Sequence, residues 1–298
     1  MVTARPVKQS DDSDPLNQPS IASEQSQESE NKLPQHHGQL VIIGGAEDKE
    51  GECRILREFV RRAGSTEARI VVMTVATGLP GEVGEQYTRI FEKMGVANVR
   101  VVDTANRDDA NDSGALDAVN EATGVFFTGG DQARITECLK GTELHELLHK
   151  RFAEGLVIAG TSAGAAMMPD MMIAEGESQT NPRMEVVRME EGMGFLPEVV
   201  IDQHFAERGR LGRLLSAVTQ QPVVLGFGID ENTAIIVDGD IIEVIGEGAV
   251  TVIDISNILH CNLSELLRDE PLALCGAKLH ILPQGYRFNL KERMPILD

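Results

Sequence analysis

The stretch Arg69-Ile70-Val71-Val72-Met73-Thr74-Val75 decides the fold class. Its apolar residues run continuously instead of alternating with polar ones. A strand with one wet face alternates, so a continuous run means that both faces are buried. Such a strand belongs inside a parallel sheet with helices packed on either side. Working outward, the same kind of run recurs at residues 40–43, 99–102, 124–128 and 156–159. Between these runs the apolar spacing is helical. Over residues 52–63, Ile55, Leu56, Phe59 and Val60 share one face, and residues 86–94, 116–122, 134–139 and 144–152 follow suit. Strands alternating with helices predict an α/β fold with a mostly parallel sheet and helices on both faces.

The C-terminal part reads differently. A helix over 211–219 leads to a strand over 223–228. Residues 233–254 and 278–284 then alternate apolar and polar positions around Gly-Asp and Gly-Glu turn signals, which predicts an antiparallel extension closing the sheet edge. No internal repeat is visible. Residues 1–38 are rich in Ser, Gln, Asp, Glu and Pro and hold few large apolar residues. They cannot repay their ordering entropy and are expected to be a disordered tail, leaving 39–298 as a single domain. His36-His37 reads as a solvated pair.

Composition narrows the function classes. The 298 residues are 42% apolar and 25% charged, which is globular. No run approaches the ~20 apolar residues of a membrane span. The 47 acidic against 27 basic residues give a net charge of −20, which disfavours a grip on nucleic-acid phosphates. With no Trp and two Tyr, an aromatic stacking platform is not expected. Cys53, Cys138, Cys261 and Cys275 are scattered without metal-ligand spacing and read as reduced thiols. The first 38 residues lack the apolar core of a signal peptide, so a cytoplasmic location is expected.

The sharpest chemical signal is Gly160-Thr161-Ser162-Ala163-Gly164, a G-x-S-x-G directly after a predicted strand and before a run of small residues. In that context it reads as a nucleophile elbow, with the serine oxygen presented at the carboxyl end of the sheet. The Ala163 N–H beside it can serve an oxyanion. The alternative is a tight strand-to-helix turn with a capping serine. A serine hydroxyl needs a base. His204 ends the apolar run Val199-Val200-Ile201-Asp202-Gln203, where ligands of open α/β sheets bind, whereas His260 and His280 lie in peripheral strands. Gly129-Gly130-Asp131-Gln132 ends another strand, and Gly130 can bring a backbone N–H near a reacting carbonyl. Arg208, Arg210 and Arg213 follow His204 and suit carboxylates, or form a solvated helix face.

These pieces occur in the order seen in a known family. From about Val41 onward the chain resembles the cyanophycinases, serine exopeptidases of the dipeptidase E type in peptidase family S51. The matching segments are Ile42 to Lys49, Phe127 to Gln132, Gly160 to Ala166, Asp202 to Phe205 with the three arginines, and Gly228-Ile229-Asp230-Glu231. The resemblance implies a flavodoxin-like fold related to class I glutamine amidotransferases and a homodimer. It implies hydrolysis of cyanophycin, a poly-aspartate with arginine on each β-carboxyl, to β-Asp-Arg dipeptides. By motif match Ser162 is the nucleophile, His204 the base, and the Gly130 and Ala163 amides the oxyanion hole. Gln132, Asp202, Gln203, Arg208, Arg210 and Arg213 are the substrate pocket. Acyl transfer to serine calls for no cofactor or metal.

The family's third catalytic member is a glutamate, and an ungapped match between Ser162 and His204 puts Thr180 in its place. Three readings stand side by side: Thr180 orients His204 through its hydroxyl, Glu177 substitutes after a loop shift, or the triad is impaired. Losing the acid costs about 10⁴-fold in one well-studied triad, so an impaired site could still turn over slowly. Function accordingly divides into a cyanophycinase, an Asp-specific dipeptidase acting on smaller β-aspartyl or aspartyl peptides, and a catalytically weak or dead cyanophycin-binding protein. No nucleic acid or membrane partner is expected.

Overall fold

The computed structural model describes residues 38–298 apart from 222–223, 267–269 and 298. The tail expected to be disordered, with His36-His37, therefore lies outside the described residues except for Gly38. Five strands form the parallel half of the main sheet: β1 (Leu40–Ile43), β2 (Arg69–Met73), β3 (Asn98–Val102), β4 (Gly124–Phe127) and β5 (Val157–Thr161). Their spatial order is β1-β5-β4-β2-β3, and every neighbouring pair in it is parallel.

The continuous apolar runs do what their pattern requires. Val41, Ile43, Ile70, Val72, Phe126 and Ala159 face α1 (Arg54–Arg62) and α2 (Pro80–Lys93), which cover them with Leu56, Phe59, Val60, Tyr87 and Phe91. The intervening positions Leu40, Ile42, Val71, Met73, Val125, Phe127 and Ile158 point the other way. There they meet α3 (Ser113–Glu121), α4 (Gln132–Leu139), α5 (Glu143–Ala153) and the short α6 (Ala163–Ala166). Each fully buried Leu, Ile or Phe contributes about 1.5–3 kcal/mol, so both helix layers are fixed by the sheet they cover.

The rest of the chain splits in a way the sequence pattern did not reveal. A hairpin of β6 (Met171–Gly176) and β7 (Val187–Glu191), absent from the sequence reading, follows α6. β8 (Val199–Gln203) then starts a second sheet, and α7 (Leu211–Gln220) leads to β9 (Leu225–Ile229), parallel to β8. β10 (Thr233–Asp238) returns to the main sheet beside β1, and β11 (Ile241–Gly246) pairs with it. β12 (Ala249–Asp254) departs again to pair with β9 in the second sheet.

After the two-residue pair β13 (His260–Cys261) and β14 (Leu274–Cys275), β15 (Lys278–Pro283) closes the second sheet, and β16 (Arg287–Asn289) and β17 (Met294–Ile296) extend the first. The expected antiparallel extension is thus divided between two sheets. The reason is packing: Phe227, Ile229, Val250 and Val252 of the second sheet share one core with Ile235, Ile242, Val244 and Phe288 of the first. Among the described residues no helix is long and apolar enough to cross a membrane.

Candidate active site

Ser162 sits between β5 and α6 with φ 52° and ψ −109°, a conformation that L-residues adopt only when their surroundings impose it. Here the surroundings do. Its N–H donates to Ile43 O at 3.0 Å, and its carbonyl accepts from Ala165 N at 3.0 Å and Ala166 N at 2.9 Å. Both glycines of the G-x-S-x-G are required by close approach. A Cβ on Gly160 would lie 2.1 Å from Gly164 O, and one on Gly164 would lie 2.5 Å from Phe127 O.

His204 follows the end of β8 with φ 48°, its N–H held by Gly44 O at 2.7 Å. Its Nε2 lies 3.0 Å from Ser162 Oγ and its Nδ1 lies 2.6 Å from Glu231 Oε1. A carboxylate only accepts, so Nδ1 carries the ring proton and Nε2 is left to accept from the serine hydroxyl. Burial, reinforced by the Arg208 and Arg210 charges, holds the imidazole below its ordinary pKa, against the opposing pull of Glu231. The ring is therefore neutral near pH 7 and can take a proton. Gly45, at φ 103°, lies flat against it: a Cβ there would sit 2.3 Å from the ring Cε1.

The third position corrects the expectation drawn from the Ser162–His204 interval. Glu231, in the turn between β9 and β10, is the partner of His204 Nδ1. Thr180 instead donates its hydroxyl to Asn181 O at 3.3 Å, with its own carbonyl packed against Gly212. Glu177 is exposed, and its N–H pairs with Val186 O at 3.0 Å across the β6–β7 hairpin. The acid arrives from beyond His204 in the chain because β9 lies beside β8, which brings their carboxyl ends together. The signal was present in Gly228-Ile229-Asp230-Glu231. The contact to His204 Nδ1 that Thr180 or Glu177 was expected to make is thus made by Glu231.

Gly129, just past the end of β4, borders Ser162, and Gly130 follows it in the chain. The position of a Cβ on Gly129 is 3.5 Å from Ser162 Cβ, and Gly130, at φ 147°, passes so close to Ala76 that a Cβ would be 2.0 Å from Ala76 O. Asp131 caps α4, accepting from Ala133 N at 2.9 Å. The Ala163 N–H opens α6 next to the serine. Among the described residues no group of three or more His, Cys, Asp or Glu side chains is placed to hold a metal ion.

Four of the six residues expected in a substrate pocket are buried and bonded to one another. Asp202 receives Arg213 in a two-pronged contact, Nε to Oδ2 at 2.7 Å and Nη2 to Oδ1 at 2.5 Å. Arg210 Nη1 reaches Asp202 at 3.4 Å, Gln203 Oε1 at 2.8 Å and Gln203 O at 2.5 Å. Burial, opposed by the Asp202 charge and reinforced by the Arg213 and Arg208 charges, brings the Arg210 pKa down to about 10. Gln132 spends its amide on Ile173 O and Ala174 O at 2.9 and 2.8 Å, pinning the β6 backbone. Only Arg208 is exposed, and among the described residues its guanidinium has no hydrogen-bond partner.

Known proteins share this arrangement of sequence. The profile of peptidase family S51 matches residues 40–245. A cyanophycinase from Trichormus variabilis is 42% identical over 256 residues, covering 85% of this chain and 86% of its own. One from Geminocystis herdmanii is 41% identical, covering 86% of this chain and 95% of its own. Among solved structures, a peptidase from an acI-B1 Actinobacterium superposes with a TM-score of 0.62 at 19% identity, over 86% of this chain and 98% of that one, and so shares the fold.

Proposed function

The chain belongs to peptidase family S51, the serine-type peptidases, and from that premise we propose that it hydrolyses cyanophycin to β-Asp-Arg dipeptides through an acyl-enzyme on Ser162. The observation that carries the reading is the line Ser162 Oγ, His204 Nε2, His204 Nδ1, Glu231 Oε1, with contacts of 3.0 and 2.6 Å. Its motifs occur in a chain about two-fifths identical to proteins named cyanophycinase.

The steps follow from the geometry. Ser162 Oγ attacks the scissile backbone carbonyl while its proton passes to His204 Nε2. Glu231 stabilises the imidazolium so formed. The oxyanion takes the Gly130 and Ala163 N–H groups as donors. Collapse expels the amine, which receives the proton from His204. Water, activated by the same imidazole, then releases the dipeptide from the serine. Arg208 is the cation free to meet a substrate carboxylate by charge-assisted bonds, while Asp202, Gln203, Arg210 and Arg213 act as the rigid wall behind it. A homodimer working in the cytoplasm completes the reading.

Mass spectrometry of the products from purified protein and cyanophycin, beside a Ser162→Ala control, tests it. Ser162-dependent β-Asp-Arg is the expected result. Turnover of small aspartyl dipeptides alone would replace it with the Asp-specific dipeptidase. Tight polymer binding without Ser162-dependent product would replace it with a binding protein.

A further inference from the structure

Three hydrogen bonds converge on the last residue of β1 and the loop that follows it. Ile43 O holds the Ser162 N–H at 3.0 Å, Gly44 O holds the His204 N–H at 2.7 Å, and Gly45 O holds the N–H of Asn232, next to Glu231, at 2.9 Å. One short segment therefore sets the backbone of the nucleophile and the base, and of the residue after the acid. Such a segment can hold three residues in register only if it is itself held.

Glu47 holds it. The side chain is buried, yet its carboxylate is fully engaged. Oε2 accepts from the Thr161 hydroxyl at 2.5 Å, and Oε1 accepts from the Tyr87 hydroxyl and faces Lys49 Nζ at 3.2 Å. Lys49 also lies 5.3 Å above the Tyr87 ring, within cation–π range. Thr161 is the last residue of β5 and the one before Ser162. Burial and the nearby Glu47 charge raise the Tyr87 pKa well above its ordinary value, so the phenol stays a donor. A carboxylate buried in this way costs free energy unless its partners are present, and three groups supply them: Thr161 from β5, Tyr87 from α2 and Lys49 from the loop itself.

Resting on the reading of Ser162 as the nucleophile, we infer that Glu47, with Thr161 and Tyr87, is a positioning unit that fixes the distance between Ser162 and His204. It touches neither substrate nor the reacting atoms. It acts by tying the loop that carries His204's backbone anchor to the strand end that carries the serine.

A fluorophosphonate probe reports on this distance without any peptide substrate. Ser162 Oγ bonds to phosphorus, fluoride leaves, and His204 takes the serine proton. Labelling is followed by intact mass, with Ser162→Ala to assign the site, and kcat and KM are measured on cyanophycin in parallel. Glu47→Gln and Thr161→Val are expected to slow labelling and kcat by about 10- to 100-fold, the range that an ångström-scale misplacement produces, with KM nearly unchanged. Thr161→Ser keeps the hydroxyl and is expected to restore both, which simple loss of packing would not allow. If Glu47→Gln does not fold, the two Thr161 variants carry the test. Labelling of Glu47→Gln at the wild-type rate, or Thr161→Ser as slow as Thr161→Val, would overturn the inference. A folded wild type that is not labelled at all would sink the nucleophile assignment, and the positioning role with it.

Discussion

His204 Nδ1 lies 2.6 Å from Oε1 of Glu231, a residue 27 positions further along the chain. That contact fixes the tautomer of the base and sets a counter-charge beside the imidazolium. Glu231→Gln keeps the shape but can donate to Nδ1, which favours the wrong tautomer. Its kcat is expected to fall by about 10³- to 10⁴-fold, as for loss of the acid in a comparable triad. Thr180→Ala, which removes only a bond to Asn181 O, is expected to leave kcat unchanged. Steady-state kinetics on the two variants decides between them, and the reverse ranking would return the third role to Thr180.

The pH profile follows from the direction of the His204 shift. The neutral ring is the working form, and burial with the Arg208 and Arg210 charges makes protonation harder. The acid limb of kcat/KM is therefore expected below the ordinary histidine value of about 6.5. Removing a nearby cation makes protonation easier. Arg208→Gln should thus move the limb to higher pH, and Arg208→Lys should leave it in place. A limb that does not respond to the charge at position 208 would assign the titration to another group.

The arginines should separate by readout. Asp202 is fully buried between Arg213 and Arg210, so Asp202→Asn leaves two buried cations short of their counter-charge. Breaking such a pair costs about 3–5 kcal/mol, so a large fall in thermal stability is expected. Arg208 is exposed, and Arg208→Ala is expected to keep the melting temperature and raise KM for a carboxylate-bearing substrate. Equal effects of the two variants on stability would refute this division of labour.

How far the sequence reached depends on the range of the interactions involved. The parallel strands are legible because both-face burial writes a continuous apolar run, as at Ile70 to Met73. Ser162 and His204 are legible because each ends such a run. The helix expected over 86–94 begins at Pro80, and the signal for that start, a proline at the first helical position, stood in the sequence. Glu231 is different. Its role depends on β9 lying beside β8, a pairing that no local pattern encodes. The burial of Asp202, Arg210 and Arg213 was illegible for the same reason: a charge next to its partner in space looks, in sequence, like a charge facing water. The β6–β7 hairpin lacks clean alternation because it is bulged between Ile173 and Glu175.

Gly45 offers the most local test of how tightly the base is held. Its φ of 103° already disfavours any side chain, and a Cβ would approach Cε1, Nε2 and Nδ1 of His204 to 2.3, 2.5 and 2.9 Å. The ring cannot yield freely, because Ser162 and Glu231 engage its two nitrogens. Either the imidazole swings out of line or the loop retreats and carries the Gly44 O anchor with it. Both routes separate Nε2 from the serine oxygen. Gly45→Ala is expected to lower kcat by about 10²-fold with little change in KM, since the chemical step suffers more than binding. Strain at a positive φ adds a stability loss of about 1–3 kcal/mol, visible in a melt. Gly78 has nothing within 4 Å of an added Cβ, so Gly78→Ala is the matched control and should behave as wild type. A folded Gly45→Ala enzyme with wild-type kcat would mean that the loop after β1 does not position the histidine.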